Sequence, residues 1–237
     1  MDQWLAMLDL PTSNVPDYRE AICTLGSNSA PVFARALATR DDAWLDRAGS
    51  WLDTHTGNRW HHPSAAERRR QAAWFFFVAR PSGAAAVPTL GSMLRDNSLD
   101  SEARLHVIVA LAVIGPASAP AAKDLVHLLE TEKDVNLRAQ AARALAAGGA
   151  EPAIVVPALC RALEGTNNHL ICYAAYALGH YGSNAIPALP RLRALGADRG
   201  SSAAAPAQPR DLPEVVRSVI QSAVREIEKS GLPERRP

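Results

Sequence analysis

Two histidines and two tyrosines lie on one face of a predicted helix in the second half of the chain. His169, Tyr173, Tyr176 and His180 are separated by four, three and four residues, the spacing of neighbours along one side of an α-helix. Such side chains suit recognition of another protein, because tyrosine, tryptophan and arginine dominate the energy of many interfaces. In the alternative interpretation, Tyr173 and Tyr176 pack beneath a neighbouring helix.

A second group of candidate binding residues combines basic and aromatic side chains. This basic-aromatic patch consists of Arg59, Trp60, His61, Arg68, Arg69 and Arg70. Guanidinium groups could contact phosphates while aromatic rings stack on bases, so nucleic-acid binding is one interpretation. We favour the structural alternative, in which tryptophans anchor a long loop and the arginines are solvated or pair with nearby aspartates. Adjacent histidines His61 and His62 diverge and lack a cysteine or carboxylate nearby, so we predict no metal and no cofactor.

A repeated pair of helices must position these residues. Leucines recur at intervals of 33 to 35 residues in two series, Leu90, Leu125, Leu159 and Leu111, Leu145, Leu178. Three glycines keep the same interval, Gly115, Gly149 and Gly182, and each is predicted to end a helix in the left-handed conformation. Each unit is predicted to contain a helix A (84–95, 118–130, 151–164, 184–195), a turn, and a helix B (101–114, 134–147, 167–181).

The repeats predict an all-α fold, a right-handed α-solenoid of about five helical hairpins in a single domain over 1–237. A two-helix unit with a wide apolar surface cannot bury that surface alone, so neighbouring units must stack on it. The predicted repeats are 17–80 with an insertion at 39–64, then 84–115, 118–149, 151–182, and 184–230 with a linker insertion at 196–212. In the first of them, 17–25 resembles a helix B, 28–38 is a helix A whose partner helix B follows at 65–79, and the insertion contains a short helix at 41–53. A last amphipathic helix, opened by Asp211 and Pro213 and ended by Gly231, is predicted to cap the stack. Its apolar side is predicted to consist of Val215, Val216, Val219, Ile220, Ala223, Val224 and Ile227.

Helix ends carry their own predictions. Asn28, Ser118 and Asn184 are predicted to cap the helices that follow them. Two acid–arginine pairs, Asp100 with Arg104 and Asp134 with Arg138, span helix starts, so we predict that the acid caps and that the pair is structural.

The motifs resemble those of the HEAT-repeat family in its short bacterial form, an armadillo-type α-solenoid. The matching signature is apolar-Pro-x-Leu at 87–90, 156–159 and 186–189, followed by the Asp…Arg pairs and by Ala-Leu at 110–111, 144–145 and 177–178. The chain departs from it at Lys123, which replaces a proline, and at Asn167 and Ile171, which replace the Asp…Arg pair. The resemblance implies a concave face, lined by the B helices, that binds a partner.

One outward position can be followed through the repeat register as a concave stripe. Its members are Gln71, Trp74, His106, Gln140, Arg143, His169, Tyr173, Tyr176 and His180. We therefore expect a non-enzymatic scaffold that binds a protein or peptide partner in this groove. The alternatives are a nucleic-acid-binding protein that uses the Arg-rich 59–80 region and a HEAT-fold enzyme of the lyase type. Some HEAT-like hydroxylases hold iron with His-Glu pairs, and the 237 residues contain no His-Glu dipeptide.

Charge and composition narrow the partners. The formal charge of +1 gives no global basic field, so nucleic acid is not the favoured partner and no membrane contact is expected. No stretch is expected to reach the roughly 18 apolar residues of a membrane span. Cys23, Cys160 and Cys172 are predicted to be buried, reduced thiols. The N-terminus lacks a signal-peptide pattern, which predicts a cytoplasmic protein, although a chain trimmed of its leader would look the same.

Overall fold

All regular structure in the described part of the chain is helical, which confirms the all-α prediction. The computed structural model describes residues 29–39, 65–197 and 212–231. The α-helices are α1 Ala30–Ala36, α2 Ala65–Ala79, α3 Val87–Leu94, α4 Ser101–Ile114, α5 Ala122–Thr131, α6 Val135–Ala147, α7 Pro152–Ala162, α8 Asn168–His180, α9 Leu189–Gly196 and α10 Glu214–Gly231. Three 3-10 segments accompany them, Arg80–Ala86, Gly115–Ala121 and Gly182–Ala188. The chain forms two compact units, Met1–Ile114 and Gly115–Pro237.

The first unit is organised around aromatic packing between α1 and α2. The Phe33 ring stacks on Phe75 with centroids 4.1 Å apart, and Phe76 meets Phe75 edge to face. Phe75 and Phe76 are fully buried. Helix α2 also packs on α4, and α3 packs on both α4 and α1. The unit therefore places two predicted B helices, α2 and α4, against each other.

In the second unit A and B helices alternate along the chain, and B helices pack on B helices while A helices pack on A helices. The B helices follow one another, since α6 packs on α8 and α8 packs on α10. On the other side α5 contacts α7, and α7 contacts the 3-10 segment before α9. Small residues bring the B helices close together, because a Cβ added to Gly179 in α8 would lie 3.2 Å from the backbone of Ala223 in α10. The core is rich in leucine and alanine, as expected for closely packed helices.

The predicted helix bounds hold for the B helices and for the A helix at 151–164, and they shift for the other three A helices. Helices α4, α6 and α8 start and end within one or two residues of prediction. The A helices predicted to start at 84, 118 and 184 begin instead as 3-10 segments. Pro120 and Pro187 lie inside these segments, and proline lacks the backbone N–H that donates a hydrogen bond in a regular α-helix. The predicted helices at 17–25 and 41–53 lie outside the described residues.

Left-handed backbone recurs at one register position. Gly115, Gly149 and Gly182 have φ of 74°, 56° and 52°, which confirms their predicted role in ending helices. Arg80, 35 residues before Gly115, has φ of 45° and begins the 3-10 segment after α2. Its guanidinium lies 5.7 Å from the centroid of the Phe77 ring. The repeat thus extends to Arg80, although a non-glycine residue is strained in this conformation.

Two of the predicted helix caps are confirmed and two are wrong. Asp134 Oδ1 accepts from the Asn136 amide at 2.8 Å and Asp100 Oδ1 accepts from the Ala103 amide at 2.7 Å, which confirms both acids as caps. Ser118 does not cap a helix, because its buried hydroxyl donates to the Gly115 carbonyl at 2.7 Å. Asn184 does not cap either, since its side-chain amide donates to the Tyr181 carbonyl. Asn28 lies outside the described residues.

Three expectations about burial need correction. Cys160 and Cys172 are half-buried, not buried, and Cys23 lies outside the described residues. Val215, expected on the apolar side of α10, is exposed, whereas Val216 and Ile220 are buried.

Within the described residues, one run is long and apolar enough to cross a membrane, contrary to the sequence expectation. This run is Ser101–Thr131, and its most apolar 18-residue window has a mean hydropathy of 1.8. It is not one α-helix, because α4 ends at Ile114 and a 3-10 segment follows. The core helix of a soluble protein passes the same test of length and composition, so a single such run is weak support for a span.

Candidate functional site

Five residues of the predicted stripe lie on α6 and α8, which pack together in the second unit. We call them the α6–α8 face: Gln140, Arg143, Tyr173, Tyr176 and His180. Arg143 donates hydrogen bonds to the Tyr173 hydroxyl and, at 3.5 Å, to Gln140 Oε1. The rings of Tyr176 and His180 meet edge to face with centroids 4.6 Å apart. Residues chosen by helical spacing and by repeat register therefore contact one another across two helices.

The helices that carry the face direct their apolar residues elsewhere. In α8, Leu170, Ile171, Ala174, Ala175, Ala177 and Leu178 are buried. None of the five face residues is buried, and Tyr176 is 45% exposed, although an aromatic ring gains most from burial. Asn167 starts α8 by accepting hydrogen bonds from the His169 and Leu170 amides. The register of α8 on its neighbours thus fixes which side the two tyrosines occupy.

The side chain of Arg143 is half-buried. Burial lowers the pKa of its guanidinium, while the phenols of Tyr173 and Tyr176 act in the opposite direction. The group remains charged at neutral pH, because an arginine guanidinium loses its proton only far above that pH. A half-buried cation held by side-chain hydrogen bonds is pre-oriented for an anionic or hydrogen-bond-accepting group of a partner.

His169 belongs to the predicted stripe but is not one of the five residues of the α6–α8 face. It is exposed in the first turn of α8, eleven residues before His180, and its backbone amide is bound by the Asn167 cap. It therefore lies about two helical turns from Tyr176 and about three from His180.

The remaining stripe residues lie in the first unit, in different surroundings. Gln71 is exposed, and the half-buried Trp74 ring stacks on Phe77 with centroids 5.7 Å apart. His106 is half-buried; burial lowers its pKa, and the charge of Glu102 opposes that shift. Both helices offer polar or aromatic groups at the predicted register, with Trp74 partly covered by its own helix.

Only half of the basic-aromatic patch lies in the described residues, since Arg59, Trp60 and His61 fall outside them. Arg69 is 6% exposed. Its guanidinium donates to the Asp100 carboxylate at 3.1 Å, the Glu102 carboxylate at 2.8 Å and the Thr39 carbonyl at 3.2 Å. This side chain is therefore committed inside the unit and is not available to a phosphate. Arg68 and Arg70 are half-buried.

The role of Arg69 was missed by grouping it with its neighbours, although the register contains the signal. Arg69, Arg104 and Arg138 recur at intervals of 35 and 34 residues, the interval of the leucines. Arg138 Nε donates to the Leu129 carbonyl at 2.8 Å, and Arg104 reaches the Asp96 and Leu99 carbonyls. At each of these positions the arginine binds backbone or acid outside its own helix, so the series is structural.

The described ranges contain no cluster of three or more metal-binding side chains. No protein-family model, curated protein or solved structure matches this chain. The resemblance to HEAT repeats thus depends on the motifs in the sequence itself.

Proposed function

We propose that this chain is a non-enzymatic scaffold of the HEAT-repeat type and that the α6–α8 face binds a protein or peptide partner. In this proposal the alternating A and B helices form a right-handed solenoid. The packing of α6 on α8 and of α8 on α10 supports it, as does the left-handed residue that recurs from Arg80 to Gly182.

One observation carries the binding proposal. Helical spacing selected Tyr173 and Tyr176, the repeat register added Gln140 and Arg143, and in the second unit these side chains cluster on one surface without being buried. Two tyrosines and an arginine in contact supply rigid, amphipathic area of the kind that dominates protein interfaces. A tyrosine whose only role was packing would be buried, because burial of its ring stabilises the folded state, whereas Tyr176 is 45% exposed.

The half-buried cysteines fit a scaffold better than a thiol enzyme. Burial raises the pKa of Cys160 and of Cys172, so both remain protonated at neutral pH. The thiolate is the nucleophilic form, and an activated cysteine has a lowered pKa. Neither residue is therefore prepared for covalent catalysis.

The test is affinity capture from the native source with wild type and the Tyr173→Ala/Tyr176→Ala variant. We expect a protein that wild type retains and the variant loses, while the variant stays folded because neither tyrosine is buried. Ile186→Ala is the matched control, since Ile186 is 47% exposed in the same unit and lies outside the face. Equal retention by wild type and the double variant would remove the face from the proposal, and unfolding of the variant would mean that the tyrosines are core residues.

A further inference from the structure

The positive charge at the α6–α8 face comes from the two helices that carry the face. Helices α6 and α8 contain two arginines and two histidines and no aspartate or glutamate. Two acids near these helices have partners away from the face: Asp134 caps α6, and Glu130 pairs with Arg161 on the A-helix side. The chain as a whole has a formal charge of +1, so this is a property of the two helices.

Arg143 is the guanidinium that contacts the other residues of the face. The second arginine, Arg138, uses its Nε on the Leu129 carbonyl and is therefore held at the turn between α5 and α6. Arg143 instead lies beside Tyr173 and Gln140, both on the face. Because hydrogen bonds already orient its planar group, little side-chain entropy is lost when a carboxylate binds.

We propose that the α6–α8 face recognises an acidic segment of a polypeptide, with Arg143 binding a carboxylate and Tyr176 packing against an adjacent apolar side chain. This rests on the proposed function and names the chemical class of its partner. A carboxylate matches the fork of guanidinium N–H groups and accepts hydrogen bonds from it in two places. The exposed Tyr176 ring, held against His180, provides the apolar contact beside that charge.

A polypeptide suits this face better than a nucleic acid does. Binding to a phosphate backbone relies on several cations in a row, each of which releases counterions. The face offers a single guanidinium in contact with the tyrosines, on a chain without a global basic field. Two phenols and an amide beside one arginine instead match the mixed composition of protein-binding surfaces.

The experiment is selection of a random dodecapeptide display library on the immobilised protein, with counter-selection on the Tyr173→Ala/Tyr176→Ala variant. We expect enriched sequences that share an aspartate or glutamate next to an apolar residue. The best peptide is then synthesised with its acids and with asparagine or glutamine in their place, and binding is measured by fluorescence anisotropy. Wild type should bind the acidic form about tenfold or more tightly than the amide form, and Arg143→Gln should lose that preference.

Arg161→Gln is the matched control. It removes the same charge from an exposed side chain on α7, outside the face, and should leave the preference unchanged. Selected peptides without acids, equal binding of acid and amide forms, or a preference that survives in Arg143→Gln would overturn the acidic class while leaving peptide binding at the face in place. No enrichment above the counter-selected variant, or displacement of the peptide by a single-stranded oligonucleotide that itself requires Arg143, would overturn the peptide partner altogether.

Discussion

The buried ion pair of Arg69 should be a main support of the first unit, and Arg69→Met tests this directly. Methionine keeps the length of the apolar stem and removes the charged head. The change deletes three hydrogen bonds, those to the carboxylates of Asp100 and Glu102 and to the Thr39 carbonyl.

The magnitude follows from how exposed each partner is. A hydrogen bond to a charged group contributes about 1.5–3 kcal/mol when both partners are shielded. The acid side chains are 50% and 54% exposed, so water replaces the arginine there and each contact contributes about 0.5–1 kcal/mol. With about 1 kcal/mol for the Thr39 carbonyl, the free energy of unfolding should fall by about 2–3 kcal/mol.

The assay is urea unfolding followed by circular dichroism, with thermal melts in parallel. For a chain of this length the loss corresponds to a Tm lower by about 4–12 °C. The control is Arg70→Met, because Arg70 is the adjacent residue on the same helix and is half-buried. The control should change stability by less than about 0.5 kcal/mol.

Equal stability of Arg69→Met and wild type would refute the reasoning. It would mean that the cost of removing the guanidinium from water cancels its three bonds, as happens for some buried ion pairs. Equal losses in both methionine variants would show instead that the effect comes from the charge of the helix.

Two further predictions concern stability. Leu145→Ala, at a residue that is 1% exposed, should lower the free energy of unfolding by about 2–5 kcal/mol, and a near-neutral result in urea unfolding would place Leu145 outside the core. Because burial lowers the pKa of His106 below 6.5, the unfolded chain takes up its proton first as the pH falls, so stability should decrease below about pH 6.5 and level off below the folded pKa. Urea midpoints between about pH 7.5 and about pH 5 should show a smaller decrease for His106→Gln than for wild type, and identical profiles would contradict the shift.

The sequence predicts the B helices and the helix ends because each has a local cause. Apolar spacing defines α4, α6 and α8, and the left-handed conformation at Gly115, Gly149 and Gly182 strongly favours a residue without a Cβ. The acids Asp100 and Asp134 cap through contacts only a few residues away. Contacts between residues this close in sequence can be predicted from one amino-acid sequence.

Other features depend on contacts between helices far apart in sequence. Arg69 looks like a solvated arginine beside Arg68 and Arg70, and its burial arises because α2 meets the start of α4. The glycine pattern does not predict the end of α2, because the residue at that register position is Arg80. This arginine has left-handed backbone and lies over the Phe77 ring. At the candidate site, the register predicts which residues share a side of each helix. The hydrogen bond between Arg143 and Tyr173 requires the packing of α6 on α8.

The most direct measurement is photo-crosslinking from the face itself. A benzoylphenylalanine residue replaces Tyr176, and in a second protein it replaces Ile186, which has nearly the same exposure at 47% against 45%. In extract from the native source, we predict a discrete crosslinked polypeptide from position 176 that is absent from position 186 and is competed away by unlabelled wild type. Crosslinks of equal yield from both positions, or none from position 176, would contradict the proposal that the α6–α8 face binds a partner.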